Sequence, residues 1–328
     1  MADPAPALIV AGPTCSGKSA LALALALTLD GVVVNADSMQ VYRELRVLTA
    51  RPSIADEAAV PHALYGVRGA AEAGSVGWWR GAALQEMAAA RAAGKLPILC
   101  GGTGLYFLSL TRGLADIPPV AEAARHEART LLAELGAAAL HNRLTEVDPV
   151  TAAGLPPHDS QRIARAWEVW RSTGQGLAAW QSSTREPAPW RFMALLLDPP
   201  REALRAAIAT RFAAMLEAGA LQEAAALLAL RLDPALPAMR AHGVPELMAH
   251  LRGELGLPAA AARATLATGQ YTKRQATWFR GHALAGSGPT HTIHARFADQ
   301  AKFADRAQLP ESILLDIRRF LIEAVDAG

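Results

Sequence analysis

A glycine-rich stretch near the N-terminus, "GPTCSGKS" (residues 12–19), has the residue types and spacing of a phosphate-binding loop. In such a loop the glycines let backbone N–H groups approach phosphate oxygens, Lys18 neutralises their charge, and the Ser19 hydroxyl is a ligand for Mg²⁺. The apolar run "ALIVAG" before the loop and the Ala/Leu-rich "SALALALALTL" after it predict a strand and a helix. The sequence therefore predicts a strand, a loop and a helix whose N-terminus faces an anion.

Two more buried-strand patterns end in polar residues. "GVVVNADS" (residues 31–38) places Asp37, and "LPILCGGTG" (residues 96–104) places Thr103, at the carboxyl end of a strand. Ligands of open α/β sheets bind at these ends, so three strand ends are expected to meet in one cleft. Asp37 then lies where a ligand would bind; alternatively it only caps a turn or the next helix.

The remaining chain indicates how these elements are organised. Residues 192–200 and 290–295 read as further strands, residues 201–285 as Ala-rich helices, and residues 301–328 as a terminal helix. Alternating strands and helices predict a doubly wound, mostly parallel α/β sheet of the P-loop NTPase type. An Arg-rich helical stretch interrupts it. We therefore predict a catalytic core of residues 1–120 and 190–328, with an all-helical subdomain inserted at residues 121–189.

Composition narrows the class of protein. The apolar run at residues 20–29 is much shorter than the ~18 residues that a membrane helix needs. With two cysteines and no basic, apolar leader, we expect a cytoplasmic protein without a membrane partner. The net charge of +2 does not indicate a nucleic-acid-binding protein, but residues 121–283 carry 18 Lys and Arg against 15 Asp and Glu. Binding of a polyanion would depend on local arginine clusters.

Several phrases together resemble the tRNA dimethylallyltransferases, a family that modifies an adenosine beside the anticodon. They are "GPTCSGKS", "NADSMQVYREL", "PHALYGV", "GGTGLYFLSLTRGL", "HDSQRIARAWEVWRSTGQ", "RFAAMLEAGALQE" and "YTKRQATWFR", in the family's order, over residues 7–285. Three positions depart from the family pattern: Arg51 replaces a lysine, Val244 replaces a tyrosine, and "PHALYG" replaces "PHHLID".

The resemblance implies that the loop holds the diphosphate of dimethylallyl diphosphate as a leaving group. The implied diphosphate-binding residues are Gly12, Pro13, Thr14, Cys15, Ser16, Gly17, Lys18, Ser19 and Arg211. Ser19 would ligate Mg²⁺ as the cofactor, Asp37 would take the proton from N6 of adenine, and Thr103 would contact the target nucleotide. Without the resemblance, Arg211 reads as a solvated helix arginine.

The resemblance also implies that the protein binds the tRNA anticodon stem-loop, from which the target adenine must be extruded. The implied tRNA-binding residues are Asp37, Ser38, Met39, Gln40, Thr103, Arg125, Gln161, Arg162, Ile163, Ala164, Arg165, Arg240, Lys273, Arg274, Gln275, Trp278 and Arg280. As bare patterns, these arginine clusters also fit solvated helix faces, and Trp167 and Trp170 fit a helical core. We expect a monomer with tRNA and dimethylallyl diphosphate as partners.

Two other functions share the first motif. A P-loop nucleoside or nucleotide kinase would use residues 121–189 as an arginine-rich lid over ATP. A non-catalytic, nucleotide-dependent RNA-binding switch would need a base-recognition motif and a strand-end acid on Mg²⁺. Titration with ATP against dimethylallyl diphosphate separates these alternatives from the prenyltransferase.

Overall fold

The computed structural model describes residues 4–182, 185–297 and 311–325. The chain divides into two compact units. One comprises Met1–Arg112 with Pro187–Gly328 and is an α/β unit; the other, Gly113–Glu186, is helical.

The α/β unit is built on one six-stranded sheet. Its strands are β1 (Ala5–Ala11), β2 (Gly31–Asn35), β3 (His62–Ala63), β4 (Leu96–Gly101), β5 (Trp190–Leu197) and β6 (Thr290–Ile293). The order across the sheet is β3-β2-β4-β1-β5-β6, and every neighbouring pair is parallel. The carboxyl ends of β1, β2 and β4 therefore lie at the same edge of the sheet, next to one another.

The helices of the chain, in order, are α1 (Lys18–Thr28), α2 (Ile54–Ala59), α3 (Val76–Ala92), α4 (Gly104–Thr111), α5 (Glu122–Val147), α6 (Pro149–Ala153), α7 (Ser160–Thr173), α8 (Leu177–Gln181), α9 (Arg201–Glu217), α10 (Ala220–Ala229), α11 (Val244–Leu251), α12 (Leu257–Arg280) and α13 (Glu311–Val325). A short 3₁₀ helix, Pro237–Arg240, precedes α11. Helices α5 to α8 form the helical unit, and α5 is interrupted at Gly136, whose φ is 78°.

Both faces of the sheet are covered, which explains why its strands are nearly continuous apolar runs. Along β1, Ile9 lies in a core with Trp79 of α3 and Phe107 of α4. Its neighbour Leu8 points to the opposite core, against Leu21 of α1. A third cluster joins α9, α10, α11 and α12 beyond the sheet, and the helical unit has a separate core.

Among the described residues, no single helix is long and apolar enough to cross a membrane. One bent pair, α9 with α10, reaches the required composition jointly but turns by 67° between its two halves.

The predicted doubly wound parallel sheet is confirmed, and all five predicted strands are present in it. The sequence analysis missed β3, a strand of two residues in "PHALYG" that pairs with Val33 and Val34 of β2. The predicted helix at residues 301–328 corresponds to α13, and its remaining residues lie outside the described part of the chain. The predicted insertion, residues 121–189, overlaps the helical unit Gly113–Glu186.

Candidate active site

The phosphate-binding loop connects β1 to α1, and two of its glycines are sterically required. A Cβ on Gly12 would lie 2.7 Å from Ser16 Oγ and 2.9 Å from the Leu197 carbonyl oxygen. Gly17 has φ of 92°, and a Cβ there would lie 2.1 Å from the Phe297 carbonyl oxygen. The loop is therefore closely packed against β5 and the segment after β6. Its tight course turns the first N–H groups of α1, which have no partner within the helix, toward the cleft.

Gln275 of α12 fixes the loop from the other side. Its Oε1 accepts hydrogen bonds from Thr14 N (2.9 Å) and Thr14 Oγ1 (3.2 Å), while its Nε2 donates to the Gly102 carbonyl (2.9 Å). The side chain is only 5% exposed. Gln275 thus connects the loop after β1 to the loop after β4. Its predicted contact with tRNA stays a prediction.

Two cationic side chains converge on the loop. Lys18 is buried, 8% exposed, and the structure shows no ion pair between its ammonium group and any described residue. Arg211 of α9 lies with Nη1 3.7 Å from Cys15 Sγ, and Cys15 itself packs against Leu204 and Ile208. A buried ammonium group without a partner is costly, and an anion in the cleft offsets that cost.

Asp37 follows β2 in a tight, hydrogen-bonded turn. The buried Asn35 holds this turn: its Oδ1 accepts from Asp37 N (2.8 Å), and its Nδ2 donates to the carbonyls of Asp37 and Leu64 (both 3.0 Å). Asp37 Oδ1 accepts from Met39 N (3.0 Å). Within the described part of the chain, the structure gives Oδ2 no hydrogen-bond donor, so this oxygen is free to accept a proton.

Thr103, at the start of α4, supports the same turn. Its Oγ1 accepts from Ser38 N (2.9 Å) and lies 3.3 Å from Ser38 Oγ, and its N–H donates to the Ala36 carbonyl (3.1 Å). Thr103 and Asp37 therefore lie at adjacent strand ends, as predicted.

Ser19, the predicted metal ligand, is exposed and lines the pocket described next. Burial raises the pKa of the Cys100 thiol to about 11, so this thiol stays neutral. The Ser19 hydroxyl oxygen is an uncharged oxygen ligand of the kind that suits Mg²⁺. No group of three or more His, Cys, Asp or Glu side chains among the described residues forms a metal site by itself.

These residues surround a pocket of about 290 Å³. Its polar wall includes Thr14, Lys18, Ser19, Asp37, Thr49, Arg211, Arg240, Thr268 and Arg274, and its remaining wall includes Met39, Leu48, Ile208, Phe212, Met215, His242 and Tyr271. A charged, anion-binding loop thus shares one small pocket with several apolar side chains. Such a pocket suits a small ligand that has an anionic group and a short hydrocarbon group.

The apolar wall was missed by the sequence analysis, yet its spacing is informative. Ile208, Arg211, Phe212 and Met215 occupy positions i, i+3, i+4 and i+7 of α9, which form one face of a helix. This apolar stripe begins shortly after the predicted strand at residues 192–200 and contains a cationic residue. That combination is the signal that could have revealed a pocket-facing helix.

Several predicted tRNA-binding residues of the α/β unit line this pocket. Arg240 and Arg274 line it and are exposed, and Lys273 is exposed on α12. Met39 packs in the third core while lining the pocket. Gln40 also lines the pocket, and its Nε2 donates to the carbonyls of Thr49 and Ala50 (both 2.9 Å). Its contact with tRNA stays a prediction.

The structure gives the surroundings of two further predicted tRNA-binding residues, Trp278 and Arg280 of α12. The Trp278 ring packs on the start of α4, where a Cβ on Gly104 would lie 1.9 Å from it, and stacks on His282 at 4.0 Å. Arg280 forms two 2.9 Å hydrogen bonds to the Asp198 carboxylate while remaining largely exposed. An RNA phosphate would have to compete with Asp198 for this guanidinium.

In the helical unit, the predicted arginines are exposed but form local ion pairs. Arg125 pairs with Glu122 at 3.1 Å, Arg162 lies 3.4 Å from Asp159, and Arg165 pairs with Glu168 at 3.2 Å. Exposed pairs of this kind are weak, so the cations remain available to another anion.

The polar and apolar faces of α7 separate as expected for an amphipathic helix. Gln161 is exposed and Ala164 half-buried. The Ile163 side chain is fully buried in the core of the unit. Its predicted part in tRNA binding stays a prediction. Trp167 also lies in that core, where its Nε1 hydrogen-bonds to Glu127 (3.3 Å).

Two protein families match the chain along its sequence. The family described as "IPP transferase" matches residues 40–282, and the family described as "Isopentenyl transferase" matches residues 6–62. A tRNA dimethylallyltransferase of Gluconobacter oxydans is 60% identical over 98% of this chain and 96% of its own length. A protein of the same name from Granulibacter bethesdensis is also 60% identical, over 92% and 95% of the two chains.

Solved structures agree. A tRNA isopentenylpyrophosphate transferase from Bacillus halodurans superposes with a TM-score of 0.65 at 28% identity, covering 99% of this chain and 97% of that one. A eukaryotic dimethylallyltransferase has a TM-score of 0.79 at 23% identity, over 97% and 80%, and supports the fold. The family resemblance inferred from the motifs is confirmed. The chain therefore belongs to the tRNA dimethylallyltransferase family of prenyltransferases.

Proposed function

We propose that the chain transfers the dimethylallyl group of dimethylallyl diphosphate to N6 of the adenosine 3′-adjacent to the anticodon of tRNA, releasing diphosphate. Dimethylallyl transfer to tRNA follows from membership of the family. The donor, the acceptor atom and the roles of individual residues are those that the motif resemblance implies, and the pocket supports them.

The observation that carries the proposal is the composition of the 290 Å³ pocket. Lys18, Arg211 and the N-terminus of α1 provide positive charge for a diphosphate. Ile208, Phe212 and Met215 provide an apolar surface for a five-carbon chain. The purine ring of ATP can also pack against an apolar surface, so it is family membership that favours an allylic diphosphate over ATP.

Departure of diphosphate from the allylic carbon leaves negative charge on the bridging oxygen. Fixed backbone N–H groups and Lys18 lie where that charge develops, so they stabilise the transition state more than the ground state. Gln275 keeps these donors in place through Thr14, which is the structural reason why the loop is preorganised.

Prenyltransferases of this kind generally use a divalent metal ion. The pocket fits Mg²⁺ because Ser19 presents a hydroxyl oxygen beside the diphosphate-binding loop, and Mg²⁺ keeps most of its ligands from phosphate and water. When bound, the ion would supply charge neutralisation to the leaving diphosphate.

N6 of adenine is a weak nucleophile that must lose a proton as it attacks. Asp37 Oδ1 is held by Met39 N–H, whereas Oδ2 has no donor among the described residues. We assign Asp37 as the general base, with Oδ2 as the accepting atom. Thr103 positions it by holding Ser38.

For tRNA, we propose that the helical unit Gly113–Glu186 and the exposed side of α12 contact the anticodon stem-loop. The helical unit contributes the exposed side chains of Arg125, Arg162 and Arg165, and α12 contributes those of Lys273 and Arg274. At the pocket, the contributing side chain is Arg240. Their expected role is to bind phosphates, which sets affinity and its salt dependence.

The test combines purified protein, Mg²⁺, dimethylallyl diphosphate and an unmodified tRNA, without ATP. We expect diphosphate release and one dimethylallyl group on the adenosine, measured by mass spectrometry of the digested RNA. Lys18→Met keeps the side-chain length but removes its charge and should abolish product. Lys95→Met, which removes a surface lysine paired with Asp30, is the matched control and should leave activity unchanged. A strict ATP requirement would overturn the proposal.

A further inference from the structure

One ionisable side chain in the pocket has no role in the chemistry described so far. His242 follows the 3₁₀ helix Pro237–Arg240 and precedes α11, and its half-buried ring lines the pocket. Its centroid lies 4.6 Å from that of Tyr271, with the two planes at 46°. Tyr271 lines the same pocket from α12, between Thr268 and Arg274, so His242 supports a side chain that faces the ligand.

The charged groups around His242 come from several elements. Glu246 lies in the first turn of α11, Arg274 is on α12, Asp37 follows β2, and Arg240 also lines the pocket. Glu246 Oε2 is buried and has no hydrogen-bond partner within the described part of the chain. Protonation of His242 would therefore place a cation at the pocket, under the influence of a carboxylate oxygen that has no hydrogen-bond partner among the described residues.

At neutral pH this ring is uncharged. Burial lowers the pKa of His242 below its ordinary value; the Glu246 charge opposes this, Arg274 adds to it, and the Asp37 charge opposes it again. A histidine whose pKa is lowered is neutral at pH 7 and is protonated only in acid.

The neutral form matters because of the charge that develops during transfer. As the bond between the allylic carbon and the diphosphate oxygen breaks, its electron pair leaves with the diphosphate and the carbon becomes positive. The N6 lone pair then forms the new bond and its proton passes to Asp37. Aromatic faces such as Tyr271 and Phe212 attract a cation, whereas an imidazolium in the same pocket repels it.

We propose that His242 is a positioning residue of the transfer site, whose neutral ring holds Tyr271 in the pocket wall and whose protonation slows dimethylallyl transfer. The inference rests on the proposed function. It predicts that the rate of the chemical step falls at acid pH as His242 is protonated. We call this fall the acid limb, and Glu246 influences the pH at which it occurs.

The experiment measures single-turnover rates of RNA prenylation against pH, with the full chain saturated by both substrates. The wild-type rate should fall as pH decreases through the His242 ionisation. His242→Phe keeps an aromatic ring that cannot be protonated; it should retain the plateau within about threefold and lose this limb. Glu246→Gln removes the carboxylate that raises the His242 pKa, so the limb should move to lower pH.

His250→Gln is the matched control, since His250 lies on α11 outside the pocket and bonds to the Leu255 carbonyl (2.9 Å). Its profile should match the wild type. The inference is overturned if the acid limb persists at its wild-type pH in His242→Phe. It is also overturned if Glu246→Gln has a normal plateau rate and its acid limb stays at the wild-type pH. If the wild type forms no dimethylallyl product at any pH, the proposed function itself fails, and this inference fails with it. Should His242→Phe not fold, the shift in Glu246→Gln alone decides.

Discussion

Replacement of Asp37 by Asn tests the assignment of the general base most directly. The amide oxygen of Asn can still accept the hydrogen bond from Met39 N that Asp37 Oδ1 accepts at 3.0 Å, so the turn should be retained. Asn35 holds the backbone of this turn independently of the substituted side chain. The free energy of unfolding should therefore change by less than about 1 kcal/mol.

The chemical step should be strongly affected, because the amide nitrogen that replaces Oδ2 cannot accept a proton. General base catalysis contributes typically ~10²–10⁴-fold, so kcat should fall by about that factor, equivalent to about 3–5 kcal/mol of barrier. The assay is steady-state kcat with saturating tRNA and dimethylallyl diphosphate, together with the affinity for each substrate.

Asp30→Asn is the matched control, since Asp30 is an exposed carboxylate that pairs with Lys95. It should leave kcat unchanged. Near-normal turnover of Asp37→Asn would refute the base assignment. A selective loss of diphosphate or Mg²⁺ affinity would identify Asp37 as a ligand instead, and a lowered melting temperature would identify a structural cap.

Three other predictions concern the side chains that support the pocket and the proposed RNA surface. Gln275→Met should raise the KM for dimethylallyl diphosphate and destabilise the fold by about 1–3 kcal/mol for each backbone group left unpaired, measured by kinetics and thermal melting; an unchanged KM would exclude its role at the loop. Asn35→Ala should lower both kcat and stability, because it releases the turn that carries Asp37; full kcat in a destabilised protein would contradict this. Arg162→Gln with Arg165→Gln should weaken tRNA binding and reduce its salt slope by about 1 for each RNA phosphate that is no longer neutralised; an unaffected slope would mean that these arginines are only a solvated helix face.

The fold could be predicted because strands that are buried on both faces of the sheet appear in the sequence as continuous apolar runs. Strands such as β1 and β5 are uninterrupted apolar runs, and a sheet with helices on both faces requires such runs. β3 could not be predicted, since two residues carry no periodicity and pair only because β2 presents a free edge to them. Family membership, read from the order of the motifs, decides between the prenyltransferase and the two nucleotide-dependent alternatives.

The site was predictable where a motif and a strand end coincide, and not where distant segments meet. The loop around Lys18 and the strand-end residues Asp37 and Thr103 lie together in the structure as expected. Gln275 contacts Thr14 across 261 residues of sequence, a contact that no local pattern encodes. Its neighbours in "KRQATWFR" include cationic and aromatic residues, so the segment by itself indicates an RNA contact and gives no sign of the bond to Thr14.

That segment places proposed RNA contacts and a partner of the phosphate-binding loop on one helix. In α12, Lys273 and Arg274 are exposed, whereas Gln275, the next residue, is buried and bonds to Thr14 of that loop. Successive positions of a helix differ in direction by about 100°, so adjacent residues reach different environments. The proposed RNA contacts, Lys273 and Arg274, and the residue that bonds to the phosphate-binding loop, Gln275, therefore lie within a single turn of α12. A shift of α12 that improves contact with RNA phosphates must also move the partner of Thr14, so the position of this helix affects both binding sites together.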